Sequence, residues 1–244
     1  MLRLNEVKLP LDHSEEELHA AVVDRLSIKM EDLLRCEVFR RAIDGRKRSA
    51  IQLTYTLDVD VKDEPSVLTG NEKLKQSARI GVSPDTSYHF VTHATKETNQ
   101  RPVVIGTGPC GLFAGLLLAQ MGFKPIILER GKIVRERTKD TWGFWRKSHF
   151  KPESNVQFGE GGAGTFSDGK LYSQIKDKRY LARKVLTEFV KAGAPEEILY
   201  VAKPHIGTFR LVSIVEKMRA TIESLGGEFR FQNQVTDLVV ENNR

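Results

Sequence analysis

The hydrophobic positions divide the chain into short segments of differing period. Leu2, Leu4, Val7 and Leu9 alternate as in a strand, with a slip at Glu6. Ser14-Glu15-Glu16-Glu17 is a capping-box pattern: the serine side chain can take the amide of Glu17 while the Glu17 carboxylate reaches back. Leu18, Ala21, Val22 and Leu26 then recur at helical spacing. Residues 36–43 and 49–61 read as two strands around Asp44-Gly45-Arg46-Lys47, a hairpin turn signal. Within the second of these, Leu53, Tyr55, Leu57, Val59 and Val61 alternate with polar partners. This βαββ order predicts a small α+β domain of split β-α-β type, placed over residues 1–93. Such a fold does not by itself assign a function.

Residues 88–93, Tyr88 to His93, have strand character, and His89 and His93 invite a metal reading. In a strand they would share a face but stand roughly 13 Å apart, too far for one ion, so no metal site is assigned. The polar run 94–100 reads as a linker, after which the composition changes abruptly.

Pro102-Val103-Val104-Ile105 is a continuous apolar run of the kind buried on both faces of a parallel sheet. It enters Gly106-Thr107-Gly108-Pro109-Cys110-Gly111, a G-x-G-x-x-G pattern. Alone that pattern is weak. Here a helix follows over Leu112–Met121, then a second apolar strand, Pro125–Leu128, ending at Glu129, 23 residues beyond Gly106. Gly106 suits a tight turn, Gly108 a close approach of backbone to a pyrophosphate, and Gly111 close helix–strand packing. The helix N-terminus offers free amides to phosphates, and Glu129 offers a carboxylate to a ribose diol while repelling a 2′-phosphate. FAD and NAD both satisfy this motif. Arg130 either flanks the adenosine or lies on the surface.

A second glycine cluster, Gly159-Glu160-Gly161-Gly162-Ala163-Gly164-Thr165, leads into Phe166-Ser167-Asp168-Gly169-Lys170. Such density implies backbone lying against something, with amides available to anionic oxygens. Leu181, Val185, Phe189 and Ala192 form one helical stripe; Leu211, Ile214, Val215, Met218, Ile222 and Leu225 form a longer one, ended by Gly226-Gly227. Phe229 and Phe231 alternate in a strand, and Val235, Leu238 and Val240 predict another.

Composition changes this picture little. Of 244 residues, 40% are hydrophobic and 29% charged, the profile of a globular protein. The 22 uncharged residues of 102–123 are long enough to span a bilayer, but their glycines and Pro109 divide them into strand, turn and helix, so no membrane partner is expected. Two cysteines form no disulfide framework, and the N-terminal residues lack a secretory layout, so the protein is read as cytoplasmic. Charge is uneven, with a net of −2 over residues 1–100 and +8 over 101–244. Arg130, Lys132, Arg135, Arg137, Lys139, Arg146, Lys147 and Lys151 crowd one segment. That segment admits a nucleic-acid partner, but a solvated surface is the preferred reading.

The stretches 106–129, 129–131, 155–165 (Asn155 to Thr165) and 204–208 (Pro204-His205-Ile206-Gly207-Thr208) together resemble the uncharacterised FAD-dependent dehydrogenases of bacteria, within the glutathione-reductase-type FAD/NAD(P)-binding fold. The resemblance covers residues 100–244 well. It implies a Rossmann-like, parallel-sheet FAD domain over 101–244, with FAD held by Gly106, Thr107, Gly108, Pro109, Cys110, Gly111, Glu129 and Arg130. It places the loop carrying Gly161, Gly162, Gly164 and Thr165 near the pyrophosphate and ribityl chain, and lends Val235 backbone bonds to adenine. At Cys110 many relatives carry alanine, and a small thiol fits that volume.

The expected function is that of an FAD-dependent oxidoreductase passing a hydride between an unidentified small molecule and flavin, with NAD(P)H as a candidate electron partner. The rivals are an NAD-binding dehydrogenase and a nucleic-acid-associated module using residues 130–151. No cysteine follows Cys110, which excludes a disulfide reductase of this fold, and no G-x-S-x-G, H-E-x-x-H or P-loop pattern occurs. Asp168, Lys170 and His205 are the polar groups flagged for substrate chemistry, each with a structural role as the plainer reading. Asn242-Asn243 predicts a turn with no partner strand after it, so the chain is expected to be the N-terminal part of a longer enzyme, inactive alone.

Overall fold

A computed structural model describes residues 1–77, 79–95, 98, 100–173 and 175–240. The chain is mixed α/β and divides into two compact units. One comprises Met1–Ser87 with Tyr172–Tyr180 and Glu196–Pro204; the other comprises Tyr88–Leu171, Leu181–Pro195 and His205–Arg244. Tyr172–Tyr180 and Glu196–Pro204, expected in the second domain, cluster by contact with the first. Part of the expected linker, and the expected turn at Asn242-Asn243, lie outside the described residues.

The first unit is an antiparallel sheet of β1 (Leu2–Pro10), β2 (Leu33–Asp44), β3 (Gln52–Val61) and β4 (Ile80–Val82), in the order β2-β3-β1-β4. Since β3 lies between β1 and β2 and opposes both, β1-α1-β2 is a split β-α-β. The slip at Glu6 is a bulge: its φ is 58° and the register with β3 shifts between Leu4 and Val7. Helix α1 (Glu15–Leu26) starts at Ser14 with both bonds of the capping box formed. It buries Leu18, Val22 and Leu26 against Leu2, Leu4, Tyr55, Leu57 and Val59 of the sheet. The hairpin is looser than expected, because β2 and β3 are joined by residues 45–51 rather than a two-residue turn, with Arg46 bonding back to Asp44. Two short helices, α2 (Glu64–Gly70) and α3 (Glu72–Gln76), precede β4. On the opposite face Arg3 makes two 2.8 Å bonds to Asp58 and lies 3.5 Å over the Phe39 ring. Residues 200–202 bond along the β2 edge, through Arg41 N–H to the Tyr200 carbonyl (2.7 Å) and Ala202 N–H to the Arg41 carbonyl (2.9 Å).

The second unit is built on a parallel sheet, β5 (Val103–Ile105), β6 (Ile126–Glu129) and β7 (Glu228–Phe231), with β6 central. Helix α4 (Pro109–Gln120) joins β5 to β6, and α5 (Val134–Lys147), α6 (Leu181–Lys191) and α7 (Thr208–Ser224) follow. Gly115 lets α4 approach the sheet: a Cβ there would stand 3.2 Å from Ile127 and 3.7 Å from Ile222 of α7. One face of the sheet is therefore covered. On the other, β5 is open, since Val103 and Ile105 are 56% and 58% exposed, which corrects the expectation that this strand is buried on both faces. Two expected strands are also absent, as residues 88–93 and 235–240 take no regular structure. Alternation in those segments marks apolar positions, but no neighbouring strand pairs with them. Helix α5, in contrast, was hidden by the density of charge in its sequence.

Candidate functional site

The turn after β5 is as tight as its glycines suggest. Gly106 has φ 93° and donates its amide to the Leu128 carbonyl at 2.7 Å. A Cβ on Gly111 would stand 1.9 Å from the Gly106 carbonyl oxygen, so only glycine lets helix and turn cross here. Gly108 caps α4 with an ordinary φ of −64°, and nothing lies within 4 Å of where its Cβ would be. Pro109 occupies the first helical position, and the amides of Cys110 and Gly111 behind it have no acceptor within the helix.

Glu129 is 5% exposed, and the chain itself surrounds its carboxylate. One oxygen accepts from the Thr107 amide (2.8 Å) and hydroxyl (2.7 Å). The other accepts from the amides of Gly131 (2.8 Å) and Gly159 (3.0 Å). These four donors match the roughly four lone-pair positions of a carboxylate. The acid thus ties both glycine motifs to the end of β6.

Sequence reasoning grouped Arg137 with a basic surface, but it is fully buried. Its guanidinium donates to the carbonyls of Asn155 (2.7 Å), Glu160 (2.7 Å), Gly162 (2.8 Å) and Val156, and to the Thr165 hydroxyl (3.1 Å). Burial pushes it down to about 10, against the pull of Glu129 and Glu160. Gly159 must lack a Cβ because one would lie 2.4 Å from the Arg137 Cδ. Glu160, also fully buried, accepts from the Val134 amide at 2.8 Å and pairs with Arg219 at 3.1 Å without an aligned hydrogen bond. Burial raises its carboxyl above the usual range, opposed by the Val134 bond and Arg219. The loop so held docks on the first turn: the Gly161 amide donates to the Thr107 carbonyl at 2.8 Å. A Cβ on Gly162 would come within 2.9 Å of Pro109.

Between turn and loop lies a cleft of about 310 Å³. Of the sequence-predicted residues, Gly106, Gly108, Glu129, Arg130, Gly162 and Val235 line it. Thr107 and Thr165 are buried and bonded to Glu129 and Arg137, while Cys110 is exposed. Gly111, Gly161 and Gly164 are not among its walls; a Cβ on Gly164 would lie 4.0 Å from Leu211. Sequence reasoning missed Gln157, Phe158, Asn233 and Gln234, which also line it. Phe158 could have been found as the aromatic flanking the glycine run, and it carries Arg130 at 3.9 Å over its ring. Arg130 is further held by Glu153 at 2.6 Å.

Other basic residues of the 130–151 segment also find partners within the chain. Lys132 pairs with Asp140 at 2.8 Å, Arg135 clasps Glu216 through two bonds, and Arg146 lies 4.5 Å over Trp142. Asp168, Lys170 and His205 are brought together by an antiparallel bridge between Lys170 and His205. The Asp168 carboxylate stands 3.5 Å from the lysine and 3.7 Å from the imidazole, and all three are exposed. Among the described residues no group of three or more His, Cys, Asp or Glu could hold a metal ion. Among them, too, no helix is long and apolar enough to cross a membrane.

Residues 1–60 match the family described as "Domain of unknown function (DUF8436)". Over 243 residues the chain is 39% identical to an uncharacterized protein of Clostridium beijerinckii, a similarity that takes in 100% of this chain and 44% of that protein. The chain thus spans a little under half the length of this relative.

Proposed function

We propose that the parallel unit is a Rossmann-like dinucleotide-binding fold that holds FAD, and that the protein acts as an FAD-dependent oxidoreductase on a small molecule. One observation carries this: Gly108 lines the cleft with open space where its Cβ would be, directly before the free amides of the α4 N-terminus. A glycine that no protein neighbour requires is a glycine available for a ligand's close approach. The cleft volume lies at the low end of ligand pockets, about 300–1,000 Å³, which suits part of a dinucleotide rather than the whole.

The residues fit the diphosphate and adenosine end of such a group. The amides of Cys110 and Gly111 would face phosphate oxygens, Val235 and Phe158 would flank the base, and Arg130 is fixed above Phe158. Glu129 repels a 2′-phosphate, and since the chain already occupies its acceptor positions it serves a ribose chiefly by holding the turn and loop around it. Bound flavin supplies hydride-transfer chemistry; the residues described bind, orient and exclude water. An NAD-binding dehydrogenase uses the same turn, and titration separates the two.

The test is Gly108→Val. Nothing crowds the Cβ position, so the fold should lose only the roughly 1 kcal/mol of a poorer helix N-cap, while FAD affinity per folded molecule should fall by roughly tenfold or more, about 1.4 kcal/mol. Unchanged flavin affinity in this variant, or no flavin binding by the native chain, would reject the assignment; tighter binding of NADH than of FAD would favour the nicotinamide reading.

A further inference from the structure

We propose that Arg137, which is not among the residues lining the cleft, is the positioning residue that sets the glycine loop into its binding conformation. The inference rests on the dinucleotide reading for its ligand but not for its geometry. A trans peptide points its carbonyl and the following amide in opposite directions. By drawing the Glu160 carbonyl onto its guanidinium, Arg137 aims the Gly161 amide the other way, at the Thr107 carbonyl of the phosphate turn. By drawing in the Gly162 carbonyl, it seats Gly162 against Pro109, where Gly162 becomes a wall of the cleft. Thr165, bonded both to the Gly162 carbonyl and to Arg137, closes the far end of the same loop.

Only a guanidinium does this. Four carbonyls from Asn155 to Gly162 converge on donors that diverge in one plane, which the three donors of an ammonium cannot reproduce. Glycines at Gly159, Gly161 and Gly162, all with positive φ, give the loop no conformation of its own. The loop has no strand pairing; Glu129 and Asn155 hold amides at its start, while Arg137 is the side chain that gathers its carbonyls. A neighbouring carboxylate, Glu160, faces Arg219 and the Val134 amide, which leaves its backbone carbonyl to Arg137.

Amide hydrogen exchange and nucleotide titration on the full chain test this together. In the native protein the Gly161 amide should exchange slowly, like those of β6, although it lies in a loop; exchange at the rate of an open loop would overturn the proposal. In Arg137→Lys, exchange across 155–165 should rise by about tenfold or more while helix α1 is unchanged. FAD affinity should fall by roughly the same factor. Millimolar guanidinium added to Arg137→Ala should restore slow exchange and flavin binding, which a general loss of packing would not allow. A lysine variant with native exchange and affinity would remove Arg137 from this role. If the native chain binds neither FAD nor NADH, the dinucleotide reading falls, and the exchange data alone decide whether Arg137 sets the loop. Should both variants fail to fold, fast Gly161 exchange in the native chain would still overturn the proposal.

Discussion

In the antiparallel unit Leu2, Leu4, Val22, Leu57 and Val59 are completely buried, and Arg3 is the only buried polar residue among those described. In the parallel unit Thr107, Glu129, Arg137, Asn155, Glu160 and Thr165 are buried together, and nearly every donor and acceptor they carry meets another part of the chain. The first unit uses non-directional apolar burial, which rewards volume and tolerates small shifts. The second uses directional bonds, which cost much when one partner is removed but fix backbone to within a bond length. Precision is placed where the glycine loop meets the turn after β5.

The contrast can be broken from either side. Leu57→Ala should have the largest effect, a loss of about 2–5 kcal/mol from the cavity it leaves in the apolar core. Urea unfolding reads that loss, and FAD affinity per folded molecule should not move. Glu129→Ala strands the amides of Thr107, Gly131 and Gly159. The space the carboxylate vacates opens on the cleft that Glu129 lines, so water can reach these amides and the cost should stay near 1–3 kcal/mol, with weakened flavin binding as a second consequence. Glu129→Gln, which keeps acceptors on one oxygen only, should fall between. A thermal melt showing no loss for the alanine variant would mean that the carboxylate does not organise the site. Ser14→Ala, which removes half of a solvent-exposed capping box, should cost only about 1 kcal/mol and leave nucleotide titrations untouched.

What could be read from the sequence was what is local. The capping box at Ser14, the bulge at Glu6 and the strand–turn–helix at 103–120 depend on neighbours a few residues away, and the structure has each. Arg137 was illegible because its role comes from the carbonyls of residues 18–25 positions downstream, and a charged letter among charged letters gives no sign of burial. Glu129 was placed at the correct end of β6, but its bonds to Gly131 and Gly159 are set by a loop 30 residues away. The apolar letters from Val235 to Val240 misled in the other direction. Leu238, Val239 and Val240 are 74–77% exposed, since alternation specifies which face is apolar but does not supply a partner strand.

The two cysteines differ in a way that gives the site a built-in reporter. Cys36, on β2, is half-buried beside Glu15 and Glu37, and burial first, then those carboxylates, push its thiol up to about 11. Near neutral pH it is a poor nucleophile. Cys110 is exposed in the first turn of α4, next to the amides assigned to phosphate. A maleimide fluorophore therefore attaches to the native sequence at one place, and its brightness and rate of attachment become an optical record of whether that turn is covered.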